Sequence, residues 1–265
     1  MNLVIDWGNS GLKAGWFDAD RLTAVERYPT PDALLTAVAN RSEPPGLANE
    51  VSHVIASSTS RPAGEIRAGL TGLGSAVWVL DDQTPVPIRK NYETPHTLGA
   101  DRVAGAVGAT ALFPAQACLV LDLGTCLTAD LVDRDATFRG GLIAPGLRMR
   151  LRAMHEQTAR LPRIDWSGTS LDEADWPELT ARSTRQAMLS GVLNGLTFEL
   201  NGIIETYRRA WPGLAVLLCG GDAPTFESRL KPPIFVVPEL VLIGLNRILD
   251  YNVKHLPPDT PDTHP

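Results

Sequence analysis

The chain has little of what builds a disulfide scaffold, a membrane anchor or a nucleic-acid track. It has three cysteines in 265 residues, Cys118, Cys126 and Cys219, each inside an apolar run and none in a CxxC pair or beside a histidine at metal-ligand spacing. A disulfide framework and a zinc site are thereby disfavoured, and buried thiols in a reducing compartment are expected. Basic residues are outnumbered, 24 Lys and Arg against 30 Asp and Glu for a net charge of -6, and no Lys/Arg run is long enough to follow a phosphate backbone. Nucleic acid and anionic membrane are therefore poor partners. The most apolar late stretch, Ile234 to Leu245, contains Pro238 and Glu239 and is too short to cross a bilayer. The N-terminus starts directly on Asn2-Leu3-Val4-Ile5, without the basic and apolar regions of a signal peptide, so a cytoplasmic protein is expected. Neither GxGxxG nor GxxxxGK[ST] occurs, which disfavours the Rossmann and P-loop nucleotide sites. His53, His96, His155, His255 and His264 pair with no Ser or Cys in a hydrolase pattern, so no nucleophilic catalysis is assigned.

What is present is a repeated plan. With 44% apolar residues the chain can fill one large core or, more naturally, two of ordinary size. Leu3-Val4-Ile5-Asp6-Trp7-Gly8-Asn9-Ser10 and Val120-Leu121-Asp122-Leu123-Gly124-Thr125 each run from an apolar strand through Asp, any residue and Gly to a small polar residue. They lie about one domain length apart, which predicts two related halves. After the first turn Leu12, Ala14 and Trp16 alternate with Lys13 and Gly15, and Thr125 to Val132 is strand-like after the second. Both sites are thus predicted to be strand-turn-strand hairpins. Helices are predicted from about Thr97 to Phe113 and from about Thr184 to Arg208, the latter with Met188, Val192, Leu196, Glu199 and Ile203 on one face. The result is an α/β protein with helices over mixed sheets. Residues 255–265 are proline-rich and polar, and a disordered tail is expected there.

A tight hairpin containing Gly and Asn turns successive backbone N–H groups into one concavity suited to phosphate oxygens, and an Asp at the strand end can hold Mg²⁺ directly or through water. One such turn is ordinary; two a domain apart would clamp a triphosphate. Leu217-Leu218-Cys219-Gly220-Gly221-Asp222-Ala223 adds an apolar strand running into paired glycines, where missing Cβ atoms let backbone approach a flat ligand such as adenine. In this order, Asp6 to Lys13, Asp122 to Thr125 and Gly220-Gly221 resemble the two phosphate motifs and the adenosine motif of the superfamily that contains acetate kinase, the sugar kinases, Hsp70 and actin. That resemblance implies two ribonuclease H-like (actin-like ATPase) domains, each a mixed sheet flanked by helices. Residues 1–113 would carry the first phosphate hairpin, and 114–254 the second hairpin and the adenosine motif.

A further string narrows the family. Tyr92-Glu93-Thr94-Pro95-His96-Thr97-Leu98-Gly99-Ala100-Asp101-Arg102, preceded by Asn91, resembles a block of the type III pantothenate kinases, also called Bvg accessory factor-like proteins. Gly140-Gly141-Leu142-Ile143-Ala144-Pro145-Gly146 and Ser183-Thr184-Arg185-Gln186-Ala187-Met188 are similar to two later blocks, so the resemblance extends to about residue 250. It implies phosphorylation of pantothenate by ATP to 4′-phosphopantothenate, the entry to coenzyme A synthesis. Asp101 would accept the proton of the hydroxyl, and Tyr92, Gly99, Ala100, Arg102 and Thr184 would contact pantothenate. Asp6, Trp7, Gly8, Asn9, Ser10, Gly11, Leu12, Lys13, Thr125, Gly220 and Gly221 would bind ATP. Asp122 would hold a monovalent cation, K⁺ or NH₄⁺, and Asp6 would reach Mg²⁺ through water. The resemblance also implies a homodimer, for which the small-residue stretch Gly99 to Ala109 is the candidate contact.

Several residues keep two readings. Arg102 either serves the site or simply pairs with Asp101 at a helix start, and Trp7 either packs on a neighbouring strand or covers the phosphates. Arg148, Arg150 and Arg152 form either a solvated helix face or a positive surface toward the ligands. Cys126 stands where the family usually has Ala. An acceptor other than pantothenate, such as a sugar, or an idle nucleotide-binding regulator of the Bvg accessory type, are the rival functions.

Overall fold

The structure is a computed structural model that describes residues 1–8, 11–40, 51–73, 77–166 and 175–255. The chain forms two compact units: Met1–Leu112 with Ala136–Phe138 and the segment from Glu239 onward, and Phe113–Asp135 with Arg139–Pro238. The crossover after Leu112 lies next to the boundary expected from the sequence. The return of the chain to the first unit at Glu239 does not follow the expected order of consecutive halves.

The first unit is built on β1 (Asn2–Gly8), β2 (Gly11–Asp18), β3 (Arg21–Tyr28), α1 (Pro31–Asn40), β4 (His53–Ser58), α2 (Ala63–Leu70), β5 (Val77–Val79), β6 (Arg89–Lys90) and α3 (Ala100–Leu112). Its sheet has the order β3-β2-β1-β4-β5, antiparallel from β1 through β3 and parallel from β1 through β5. Successive side chains alternate faces along a strand. Leu3, Ile5 and Trp7 accordingly join Leu12, Ala14, Leu34 and Ile66 in one core. Asn2, on the opposite face, donates its amide to Asn246 Oδ1 at 3.0 Å and Asp250 Oδ1 at 3.2 Å, so that face is covered late in the sequence.

The second unit contains β7 (Cys118–Leu123), β8 (Cys126–Val132), β9 (Thr137–Pro145), α4 (Leu147–Glu156), α5 (Thr184–Ala210), β10 (Ala215–Cys219), α6 (Ala223–Phe226) and β11 (Phe235–Val236). Its strands run β11-β10-β7-β8-β9, with β7 antiparallel to β8 and parallel to β10. The first residues of β9, Thr137 and Phe138, belong to the first unit and pair there with β6. Each unit therefore repeats one plan: an antiparallel hairpin whose first strand has a parallel neighbour on its other side. The helix expected on 184–208 runs from Thr184 to Ala210, and its buried row is Met188, Val192, Leu196, Leu200 and Ile204. Glu199, expected on that row, lies at its edge because its carboxylate pairs with Arg150 at 2.7 Å; Ile203 packs there only partly buried. Among the described residues α5 is also the one helix long and apolar enough to cross a membrane, and its buried row belongs to the second core.

The last described helix, α7 (Leu240–His255), returns to the first unit and packs along α3. A Cβ on Gly108 would lie 2.5 Å from the Leu240 carbonyl oxygen, and one on Gly244 would lie 1.7 Å from that of Ala104. The two backbones touch because both helices carry glycine at the crossing. This corrects the expected dimer contact: residues 102–109 are buried, and Ala104 and Gly108 meet α7 of the same chain. Helix α7 also takes in His255, which the sequence reading put in the tail; 256–265 lie outside the described residues. Cys118 and Cys219 are buried as expected, whereas Cys126, first residue of β8 beside the turn, is only partly so.

Candidate active site

In the first unit β1 and β2 close between Gly8 and Gly11; Asn9 and Ser10 of the expected phosphate turn lie outside the described residues. Gly11 has φ +142°, and a Cβ there would stand 2.7 Å from the Tyr28 carbonyl oxygen, so the position demands glycine. Trp7 is resolved as a packing residue. Its ring is 6% exposed, lies over Gly69 of α2 and meets the Arg61 guanidinium at 4.8 Å. Leu12 is likewise a core side chain, so Trp7 and Leu12 leave chiefly backbone for a ligand.

Asp6 lies near the end of β1, on the face opposite Trp7. Lys13 stands across from it on β2 and Ser57 beside it on β4. The Ser57 hydroxyl donates to Asp6 Oδ1 at 3.2 Å, and the Lys13 ammonium pairs with Glu239, just before α7. Burial, and then the negative charge of Asp101, push the Asp6 carboxyl up to about 6, against the opposing pull of Ser57 and Lys13.

Asp101 lies in the first turn of α3, which begins at Ala100 after a 3₁₀ turn at Pro95–Thr97, three residues later than the sequence predicts. Its Oδ1 accepts the Arg102 backbone N–H at 2.8 Å, and a Cβ on Gly99 would press to 2.5 Å from that oxygen. A larger residue at 99 would therefore displace the carboxylate that follows it. Burial raises the Asp101 pKa, and the Arg102 N–H and charge oppose the rise. The Arg102 guanidinium lies over the rings of Tyr92, at 5.8 Å, and Phe138, at 5.7 Å, and these two rings meet edge to face. Tyr92 and Arg102 are therefore held together as the sequence block implies. Beside Gly99 and Ala100 a cavity of about 340 Å³ opens, with Ser58, Arg61, Lys90 and His96 among its walls.

In the second unit Asp122 is the next-to-last residue of β7, and the Gly124 N–H donates to the Cys126 carbonyl at 3.0 Å to close the turn, leaving Thr125 exposed. Two later segments press on this turn. Gly146, at the start of α4, donates its N–H to the Thr125 carbonyl, and a Cβ there would come within 2.4 Å of the Gly124 oxygen. Gly220 has φ +92°, and its Cβ would lie 2.5 Å from Asp122 Oδ1 and from the Leu123 backbone. The first glycine of the pair is therefore a packing requirement. At Gly221 a Cβ would meet nothing within 4 Å, and that backbone is open to a ligand.

Asp222, which the sequence reading left without a role, donates its backbone N–H to Leu123 O at 2.9 Å and forms an ion pair with Arg148. Burial raises its pKa against that pairing. Of the arginine run, Arg148 thus serves the glycine turn, Arg150 pairs with Glu199, and Arg152 meets Glu156 at the surface. Thr184 is the exposed first residue of α5, after the N-cap Ser183, whose hydroxyl accepts the Gln186 N–H. Among the described residues no group of three His, Cys, Asp or Glu side chains forms a metal cage.

Two hairpin-led mixed sheets of this kind define a class. The structure resembles a ROK hexokinase from Thermus thermophilus with a TM-score of 0.54 at 16% identity, covering 96% of this chain and 99% of that one. It resembles a Campylobacter jejuni protein, described as a conserved Baf family transcriptional activator, with a TM-score of 0.57 at 17% identity, over 95% and 99% of the two chains. The fold is that of the actin-like ATPases and ROK sugar kinases. Within that class, a profile of the type III pantothenate kinases matches residues 2–206. A type III pantothenate kinase of Cytophaga hutchinsonii is 44% identical over 96% of this chain and 100% of its own length, and one of Phocaeicola vulgatus is 39% identical over the same shares. The chain belongs to the type III pantothenate kinase family and is a kinase.

Proposed function

We propose that the protein transfers the γ-phosphoryl group of ATP to the primary hydroxyl of pantothenate, giving 4′-phosphopantothenate for coenzyme A synthesis. The observation that carries this reading is the Tyr92–Arg102 block: a carboxylate at the head of α3, a glycine kept small by it, and an arginine set against an aromatic pair, all beside a cavity. Asp101 is the proton acceptor. A carboxylate is a weak base toward an alcohol in the ground state, so it first orients the hydroxyl and takes the proton late, as the phosphoryl group departs through a loose transition state. Burial, by raising its pKa, moves Asp101 toward that task.

Mg²⁺ fits the Asp6 position. Asp6 and Asp101 repel one another, which a divalent cation would relieve, and a lone carboxylate suits an ion that keeps several waters and binds mainly to phosphates. The ion supplies charge neutralisation at the phosphates when bound. Asp122, pressed by the Gly220 backbone, is our candidate for the monovalent cation, and Gly221 for the approach of adenosine. Thr184 is retained as a pantothenate contact.

For the homodimer the exposed face of α5 is the better surface. Gly191, Gly195, Phe198 and Gly202 follow one another at helical spacing, Phe198 is 61% exposed, and Cβ atoms on the three glycines would meet nothing. A monomer by light scattering at micromolar concentration would remove the dimer. The test of the function is ATP consumption with Mg²⁺ and K⁺, with and without pantothenate. Pantothenate-dependent turnover that falls about a thousandfold in Asp101→Asn, with the melting temperature retained, is expected. ATP binding without pantothenate-dependent turnover would overturn it.

A further inference from the structure

We propose that Ser57 is a positioning residue for metal-dependent nucleotide binding, acting through the carboxylate of Asp6. The parallel register of β1 and β4 sets Ser57 directly beside Asp6, and its hydroxyl donates to Asp6 Oδ1 at 3.2 Å. Ser57 is 1% exposed, so this hydroxyl sits among core residues rather than in water. A buried hydroxyl is costly unless it is bonded, and a bond to a carboxylate is stronger than one to a neutral acceptor.

The next residue repeats the arrangement one step along the same pair of strands. Ser58 donates its hydroxyl to the Trp7 carbonyl at 2.8 Å. Two consecutive serines at the end of β4 thus bond the two residues of β1 that lead into the phosphate turn, one to the side chain and one to the backbone. Across the hairpin, Lys13 approaches Asp6 from β2, and its ammonium is engaged by Glu239. Asp6 is therefore set between a cation and a hydroxyl, while the Asp101 charge opposes its ionised form.

The consequence is geometric. A carboxylate facing a like charge can turn away from it, and that turn would remove it as an acceptor for water on a metal ion. The Ser57 hydroxyl holds Oδ1 in place, and a carboxylate so fixed would stay oriented toward a hydrated metal ion. Ser57 is buried away from any ligand, and its one side-chain bond among the described residues is to Asp6, so the proposed effect passes through Asp6. No motif contains it; only the strand register brings it to the site.

The inference rests on the reading of the β1–β2 hairpin as the Mg²⁺-nucleotide site, and the test separates the two. The full-length protein is titrated calorimetrically with ADP, with and without Mg²⁺, as wild type, Ser57→Ala and Ser57→Thr, and the melting temperature of each is recorded. The expected result is about tenfold weaker binding by Ser57→Ala in the presence of Mg²⁺ only, metal-free binding within about twofold, and recovery in Ser57→Thr, which keeps the hydroxyl. Wild-type binding of Mg·ADP by Ser57→Ala overturns the proposal, as does equal weakening with and without metal, which marks a merely structural role. A folded Ser57→Thr as weak as Ser57→Ala also overturns it. Absence of any Mg²⁺-dependent binding in the wild type overturns the hairpin reading itself.

Discussion

The two hairpins of this kinase share a backbone and differ in the residues that register brings beside their aspartates. Across from Asp6 stands Lys13 and next to it Ser57; across from Asp122 stands Thr128 and next to it Cys219. The first aspartate therefore lives in a field of charges, with Lys13 on one side, Asp101 opposing, and Glu239 holding the lysine. The second is shaped by backbone: Gly220 presses on Asp122 and Leu123, and Gly146 on Gly124 and Thr125. A repeated topology thus separates two tasks. One turn is electrostatically tuned by the nearby charge of Asp101, and the other is a close-packed junction of three segments.

The largest effect that would break this contrast is steric. Gly220→Ala puts a Cβ at 2.5 Å from backbone on a residue with φ +92°, and a loss of about 3 kcal/mol or more is expected in denaturant unfolding. Gly8→Ala in the first hairpin, where the nearest contact among the described residues is 3.8 Å away, is expected to cost about 1 kcal/mol or less. Similar losses from both would show the first turn to be as tightly packed as the second.

Charge provides the next test. Lys13→Met is expected to raise the KM for ATP about tenfold or more, while Thr128→Val, its counterpart on β8, changes it less than about threefold. Equal effects would mean that the hairpins divide the phosphates evenly.

The last test is in pH. Burial pushes the Asp6 carboxyl up to about 6 from its ordinary 3.8. Between these values the folded chain keeps a proton that the unfolded chain releases, so unfolding stability falls as pH rises from about 4 to 6 and is level above. In Asp6→Asn that part of the decline is absent, as thermal melts across the window in the absence of nucleotide will show. A wild-type profile that matches the Asn variant would place Asp6 in ordinary solvent.

Much of this protein is legible in one dimension because its chemistry clusters in short strings. Asp6 to Lys13, Asp122 to Thr125, Gly220-Gly221 and Tyr92 to Arg102 can each be read without the fold, since a turn or a helix start places neighbouring residues together. The period-two alternation of Leu12, Ala14 and Trp16 and the helical spacing of Met188, Val192 and Leu196 likewise determine the strands and the long helix, because burial follows the repeat of the backbone. Family membership follows from the same strings.

What only the tertiary structure decided are the pairings between distant segments. Ser57 meets Asp6 through the register of parallel strands, Glu239 meets Lys13 because α7 returns to the first unit, and Arg148 meets Asp222 from the far side of α5 in the sequence. The small-residue helix that reads as an intersubunit contact is instead covered by α7. A sequence records which faces are apolar or small, and three-dimensional packing chooses their partner: a local repeat fixes direction, whereas contact across hundreds of residues depends on where the whole chain comes to rest.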